Sequence, residues 1–288
     1  MRAMTSTMSP RFVTAADGVE VAVHELGGQG PPLVLAHAAG FHGAVFAPLA
    51  TELAADFRCV SLDGRGHGDT VLPPGTTLDW HGLAADVLAV VEGSGLDRPY
   101  GFGHSSGGTA LLMAEQARPG TFGAIYCFEP IIIPSDLPPG ADTGNRLATQ
   151  ARRRRTTFAS RAEALAHYAA RPPFDTLAPA ALGAYVDHGF VDTGDGQVRL
   201  KCRPEDEAAV YESATAHDAF ARLGEITCPV TVACGALTPG CTGDRAFAFE
   251  DRMPAGRSEV VPGVGHFGPL ERPDEVAASV RRFFARSG

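Results

Sequence analysis

Gly103-His104-Ser105-Ser106-Gly107-Gly108 decides how this chain is read. A strand-like run, Tyr100-Gly101-Phe102, precedes it, and a helical pattern over residues 109–118 follows. A G-x-S-x-G in that setting is a sharp strand-to-helix turn. The serine sits on strained backbone at the strand's carboxyl end, and the glycines make room for strand and helix to approach. The helix N-terminus beside it favours developing negative charge. Taken alone the pentapeptide also fits an ordinary glycine-rich turn, so its surroundings carry the argument.

Outward from this turn, apolar runs alternate with helical patterns. Residues 19–26 read as an early strand with Val19, Val21 and Val23 on one face. Leu33-Val34-Leu35-Ala36 is a continuous apolar run, as in a strand buried on both faces. Residues 57–62, 124–128, 230–233 and 258–261 are further strand candidates. Helical patterns cover 45–55, 80–92, 106–118 and 273–285, the last opening on Pro-Asp-Glu. Such alternation implies an α/β fold with a mainly parallel sheet covered on both faces. Residues 134–221 break the rhythm with Pro and Gly punctuation, an Arg-rich helical stretch and no buried-strand run. The 288 residues are about two domains' worth. The expected division is one core domain in two parts, 1–133 and 222–288, interrupted by a helical cap or lid over 134–221.

Lys plus Arg total 24 against 33 Asp plus Glu, a formal net charge of −9. Hydrophobic residues make up 44% and charged residues 20%, which excludes disordered, collagen-like and coiled-coil readings. An acidic chain repels nucleic-acid phosphates and anionic lipid, so the expected partner is a small-molecule substrate and neither of those. A homodimer remains open. No apolar run approaches the ~20 residues that span a bilayer, and the N-terminal stretch lacks the apolar core of a secretory signal. Six cysteines are scattered without a C-x-x-C pair, which predicts cytoplasmic localisation with mostly free thiols. Cys228–Cys234 and Cys234–Cys241 bridges both stay open. No metal-ligand spacing is present, and no cofactor is expected.

A serine nucleophile needs a general base late in the chain, on a loop that reaches it. Gly265-His266-Phe267, between a Pro-Gly turn and the last helix, supplies His266. The base in turn needs a carboxylate to fix its tautomer and stabilise the imidazolium. The turn after residues 230–234 reads Gly235-Ala236-Leu237-Thr238-Pro239 and holds no acid before Asp244. Asp244 also fits a helix cap ahead of the pattern at 245–253. Glu129 ends the apolar strand 124–128, where a carboxylate is costly unless partnered. An ion pair with an arginine of the insertion is the competing role, and Glu129 ranks above Asp244. An oxyanion needs two backbone N–H groups. Ser106 offers one, and Ala39, in the loop His37-Ala38-Ala39-Gly40-Phe41-His42-Gly43, offers the other by position.

Four motifs now stand in order: His37 of that loop, Asp63-Gly64-Arg65-Gly66-His67-Gly68, the turn about Ser105, and Gly265-His266-Phe267. Together they resemble the α/β-hydrolase superfamily over most of the chain outside the insertion. The resemblance implies an eight-stranded, mostly parallel sheet with a helical lid inserted after the sixth strand. It makes Ser105 the nucleophile and His266 the base, with Asp63, Arg65 and His67 as turn and packing residues. The chain departs from the common pattern at Thr238, where many members carry the acid, and at Ala38, where glycine is usual. Some relatives, certain haloalkane dehalogenases among them, place the acid after the sixth strand, where Glu129 falls. Dehalogenases and soluble epoxide hydrolases carry an aspartate nucleophile, so a serine at 105 argues against both chemistries.

The resulting expectation is a serine hydrolase of esters, lactones or thioesters with a Ser105-His266-Glu129 triad. The departures at Ala38 and Thr238 keep a non-hydrolytic member in play: a binder, a cyclase or an acyltransferase. Arg152-Arg153-Arg154-Arg155 lies in a helix-like run and so wraps the helix. It is either a solvated face or the source of one arginine that meets a substrate carboxylate or phosphate. Phe158, Tyr168, Phe174, Tyr185 and Phe190 either line a pocket or pack the insertion onto the sheet. Trp80 reads as structural.

Overall fold

The computed structural model describes residues 9–133, 145–239 and 249–286. The main sheet uses β1 (Arg11–Thr14), β2 (Glu20–Gly27), β3 (Pro32–Ala36), β4 (Arg58–Leu62), β5 (Tyr100–His104) and β6 (Ala124–Phe128). Three short strands follow, β7 (Thr157–Phe158), β8 (Phe190–Asp192) and β9 (Val198–Leu200), before β10 (Val230–Gly235) and β11 (Gly256–Val261) rejoin the main sheet. Its order is β1-β2-β4-β3-β5-β6-β10-β11. The pairs β1/β2 and β2/β4 are antiparallel, and every pair from β4 to β11 is parallel.

Period-2 geometry explains the apolar runs. In β3, Leu33 and Leu35 enter one core while Val34 and Ala36 enter the core on the opposite face. The first face is covered by α1 (Ala47–Leu53) and the C-terminal helix Pro273–Phe284, through Leu49, Leu53, Val276 and Val280. The second is covered by α2 (Trp80–Gly93) and α3 (Ser106–Ala117), through Leu83, Val87, Leu111 and Ala114. Asp79 caps α2, its carboxylate accepting from the Gly82 N–H at 2.7 Å. From β3 the chain steps to β4 on one side, while β5 and β6 lie on the other. The loops after β3 and β5 therefore meet at the topological switch point, where an open parallel sheet offers a crevice.

Between β6 and β10 lie α4 (Asn145–Arg152), α5 (Arg161–Ala169), α6 (Pro179–Gly189) and α7 (Pro204–Glu212). The stretch is not purely helical. β7, β9 and β8 form a small antiparallel sheet that buries Phe158, Phe190, Val198 and Leu200. Strands of two or three residues are too short for alternation to show in a sequence. The arginine run also differs from expectation: α4 ends at Arg152, and Arg153, Arg154 and Arg155 leave the helix.

Cys59, Cys127, Cys202 and Cys228 are free and Cys234 is disulfide-bonded, in line with mostly free thiols and one of the bridges left open at Cys234. With Cys228 free, a Cys228–Cys234 bridge is excluded. Cys241 lies outside the described residues, as does Asp244. Among the described residues, no helix is long and apolar enough to cross a membrane. The chain closes with α8 (Gly268–Glu271) and α9 (Pro273–Phe284).

Candidate active site

Ser105 stands between β5 and α3 with φ 53° and ψ −121°, a backbone region that side chains rarely adopt. Its side chain makes no capping bond to α3. The turn is tied down through its backbone: Ser105 N–H donates to the Phe128 carbonyl of β6 at 2.9 Å, and Ser105 C=O accepts from Thr109 N–H at 3.2 Å. Glycine is required around it by close approach. A Cβ on Gly103 would lie 2.5 Å from Gly108 Cα, and one on Gly107 would lie 2.2 Å from the Ala36 carbonyl oxygen.

Glu129 is the residue immediately past β6, also at positive φ, 47°. Its carboxylate is ringed by donors. Oε2 lies 2.6 Å from His266 Nδ1, while Oε1 accepts from Gly235 N–H at 2.9 Å and from the Thr238 hydroxyl at 2.6 Å. Burial alone would raise this carboxyl. The bonds from His266, Thr238 and Gly235 outweigh it and hold the group below its ordinary value. A carboxylate only accepts, so Nδ1–H of His266 donates to it and Nε2 is left as the basic nitrogen. The partner that a strand-end carboxylate requires is thus His266 and not an arginine of the insertion.

The His266 loop is braced from beneath. Buried His104 places Nε2 2.8 Å from the His266 carbonyl, and the two rings lie 5.0 Å apart. A carbonyl accepts, so His104 Nε2 carries the proton and donates. Gly265 N–H donates to Glu271 at 2.7 Å. Gly235 has no room for a side chain, since a Cβ would stand 2.4 Å from the Val264 carbonyl oxygen. The end of β10 and the histidine loop therefore touch backbone to backbone.

The loop after β3 is fixed by two imidazoles. His67 Nε2 accepts from Gly40 N–H at 2.9 Å, and its Nδ1–H donates to the Arg65 carbonyl at 3.0 Å. His37 Nε2 accepts from Gly64 N–H at 3.0 Å while its Nδ1–H donates to the Ala38 carbonyl at 2.8 Å. Burial, then the neighbouring His67, pushes the His37 imidazole down to about 3. Asp63 accepts from Gly43 N–H at 2.7 Å and from Asp69 N–H at 2.8 Å, and Arg65 forks onto Asp86. Asp63, Arg65 and His67 thus hold the turn and loop together, as the resemblance implies. Among the described residues, no hydrogen bond occupies the N–H of Ala39 or of Ser106.

Ser105, Ser106, Ala39 and His266 all line one cavity of about 640 Å³. The sheet side contributes Phe41, Ile131 and Phe267, and the inserted segment contributes Leu147, Tyr168 and Phe174. Tyr185 packs on Phe41 behind this wall, whereas Phe158 and Phe190 pack within the insertion. Trp80 lines the cavity too, and its Nε1–H donates to the Val210 carbonyl at 2.8 Å. Of the arginine run, Arg154 lines the cavity, while Arg152 and Arg155 pair on the outside with Glu205, Glu212 and Glu163. Arg154 bonds Glu207 and the Tyr185 hydroxyl. Among the described residues, no cluster of three His, Cys, Asp or Glu side chains is arranged to hold a metal ion.

Solved structures share this fold. E-2-(acetamidomethylene)succinate hydrolase superposes with a TM-score of 0.82 at 20% identity, over 96% of this chain and 98% of that one. An N-formylmaleamic acid deformylase of Pseudomonas putida S16 gives 0.75 at 16% identity, over 94% and 99%. A thermophilic esterase of Thermogutta terrifontis gives 0.71 at 20%, over 96% and 98%. A search of curated proteins returns no match. The model of the alpha/beta hydrolase family matches residues 33–279, and the chain belongs to that family.

Proposed function

We propose that the protein is a serine hydrolase that cleaves an ester, lactone or thioester of a small molecule through an acyl-enzyme. The observation that carries this reading is the 2.6 Å contact from His266 Nδ1 to Glu129, with Ser105 on its positive-φ turn lining the same cavity as His266. Ser105 Oγ attacks the acyl carbon while His266 Nε2 takes its proton. The oxyanion is received by the N–H groups of Ala39 and Ser106, and His266 passes the proton to the leaving group. Glu129 stabilises the imidazolium throughout. Water, deprotonated by His266, then releases the acid and restores the serine. Residues 134–221 act as the lid that shapes the substrate site.

A p-nitrophenyl ester series tests this. The wild type should show a burst of one nitrophenolate per protein, and Ser105→Ala should stay folded and lose it. Unchanged turnover in Ser105→Ala would sink the proposal. Labelling of Ser105 by a fluorophosphonate without hydrolysis of any ester would move the chain to acyl transfer or cyclisation.

A further inference from the structure

The charges on the cavity wall are unevenly distributed. Arg154 and Arg171 line it, against one described carboxylate, Glu207. That is a local positive excess in a chain of net charge −9. Glu207 belongs to Arg154, whose Nη1 it accepts, and it receives the Tyr211 hydroxyl at 3.4 Å as well. Arg171 is different. Its Nη1 donates to the His167 carbonyl at 2.9 Å, and among the described residues no carboxylate lies within ion-pair distance of it. Arg152, Arg155 and Arg161, on the same inserted segment, each have such a partner. His167 also lines the cavity without adding charge at neutral pH, because burial and then the Arg171 charge push its imidazole down.

We propose that the substrate opened at Ser105 carries a carboxylate remote from its scissile carbonyl, and that Arg171 receives it. A guanidinium grips a carboxylate through two parallel N–H···O bonds. An unneutralised cation on the wall of a cavity also gathers anions that the rest of an acidic surface turns away. The apolar wall at Phe41, Leu147 and Phe174 fits the carbon chain between the two ends. This proposal deepens the hydrolase reading and rests on it, so binding is measured apart from turnover.

Ser105→Ala protein is titrated with glutarate and with its neutral diamide, glutaramide. Glutarate is expected to bind about tenfold more tightly, the size of a charge-assisted pair. Arg171→Gln in the same background should abolish the difference. Arg153→Gln, on the same segment, exposed like Arg171 but outside the cavity lining, and with the same change of charge, should keep it. Equal behaviour of the two ligands, absence of binding included, overturns the proposal, as does a preference that survives Arg171→Gln. In turnover by Ser105 protein, mono-p-nitrophenyl glutarate should exceed p-nitrophenyl pentanoate about tenfold in kcat/KM. That ratio should collapse in Arg171→Gln, mostly through KM. Hydrolysis of both esters without a charge preference removes the carboxylate site and leaves the serine hydrolase standing. Glutarate binding without hydrolysis of either ester does the reverse.

Discussion

Glu129 works from backbone that costs energy: φ 47° in a residue with a full side chain is worth roughly 1–3 kcal/mol of strain. What holds it there is the set of three donors on its carboxylate, and two of them come from the last residue of β10, Gly235, and from Thr238 just past it. The hydroxyl of Thr238 thus bonds the carboxylate of Glu129 from the turn after β10. Glu129→Gln would present an amide N–H to His266 Nδ1 and force the proton onto Nε2, so kcat should fall by about 10³–10⁴. Thr238→Val removes one donor from a charged acceptor, a loss of about 1.5–3 kcal/mol when buried. Thr238 is half-exposed, so the expected drop in kcat/KM is about tenfold. The folded-state pKa of Glu129 is lowered by these bonds, so its contribution is lost as pH falls through that value. Without Thr238 the value rises, so activity that depends on ionised Glu129 should be lost at a higher pH. An unchanged kcat/KM in Thr238→Val would mean the hydroxyl plays no part. Ser105, His266 and Glu129 were legible because each has a local signature: a motif, a late glycine-flanked histidine, and a carboxylate ending an apolar strand. Thr238 and His104 were not, since their roles depend on which strands and loops become neighbours. β6 and β10 are separated by the whole insertion, yet they pair directly.

At the scale of elements, the strand–turn–helix unit of β5 and α3 depends on missing side chains. Gly107 faces the end of β3, and a methyl there would meet backbone atoms of Ala36 and His37, none of which can rotate away. Gly107→Ala should therefore move α3 away from the sheet and with it Ser105 and the Ser106 N–H. A loss of about 3 kcal/mol or more in stability is expected, as for overpacked cores, with activity lost alongside. Gly183 is the control: it lies in α6 with open space around its Cα, so Gly183→Ala should stabilise by up to about 1 kcal/mol. Thermal melts of the two variants check both signs, and equal shifts would refute the argument. The main elements were readable from periodicity, β6 to the residue, because long buried strands and amphipathic helices repeat. The small sheet of β7, β8 and β9 was not, and neither was the end of α4 inside the arginine run. Two-residue strands carry no period, and a run of one residue type carries no boundary.

Buried imidazoles make the whole molecule sensitive to acid. Burial is the leading cause of each shift: it pushes His37 down to about 3, His42 down to about 4, and His104 well below its ordinary value. All three lie in or against the loops that carry Ala39, Ser105 and His266, where their neutral rings donate and accept single hydrogen bonds. An unfolded chain protonates its histidines near 6.5, whereas the folded chain does not until far lower. Between those values the unfolded state binds more protons, so stability falls as pH falls, by about 1.4 kcal/mol per pH unit for each such histidine. Three of them amount to about 4 kcal/mol per unit, against a total stability of about 5–15 kcal/mol. Above pH 7 neither state is charged at these sites and the cost vanishes. The melting temperature should accordingly be flat from pH 8 to 7 and drop steeply below about 6, before ordinary carboxylates protonate. His42→Gln keeps a donor for the Tyr185 carbonyl and removes one of the titrating groups, so it should make the drop less steep. A melting temperature that stays level from pH 7 to 5 would mean that the folded protein takes up these protons without opening, contrary to their burial in it.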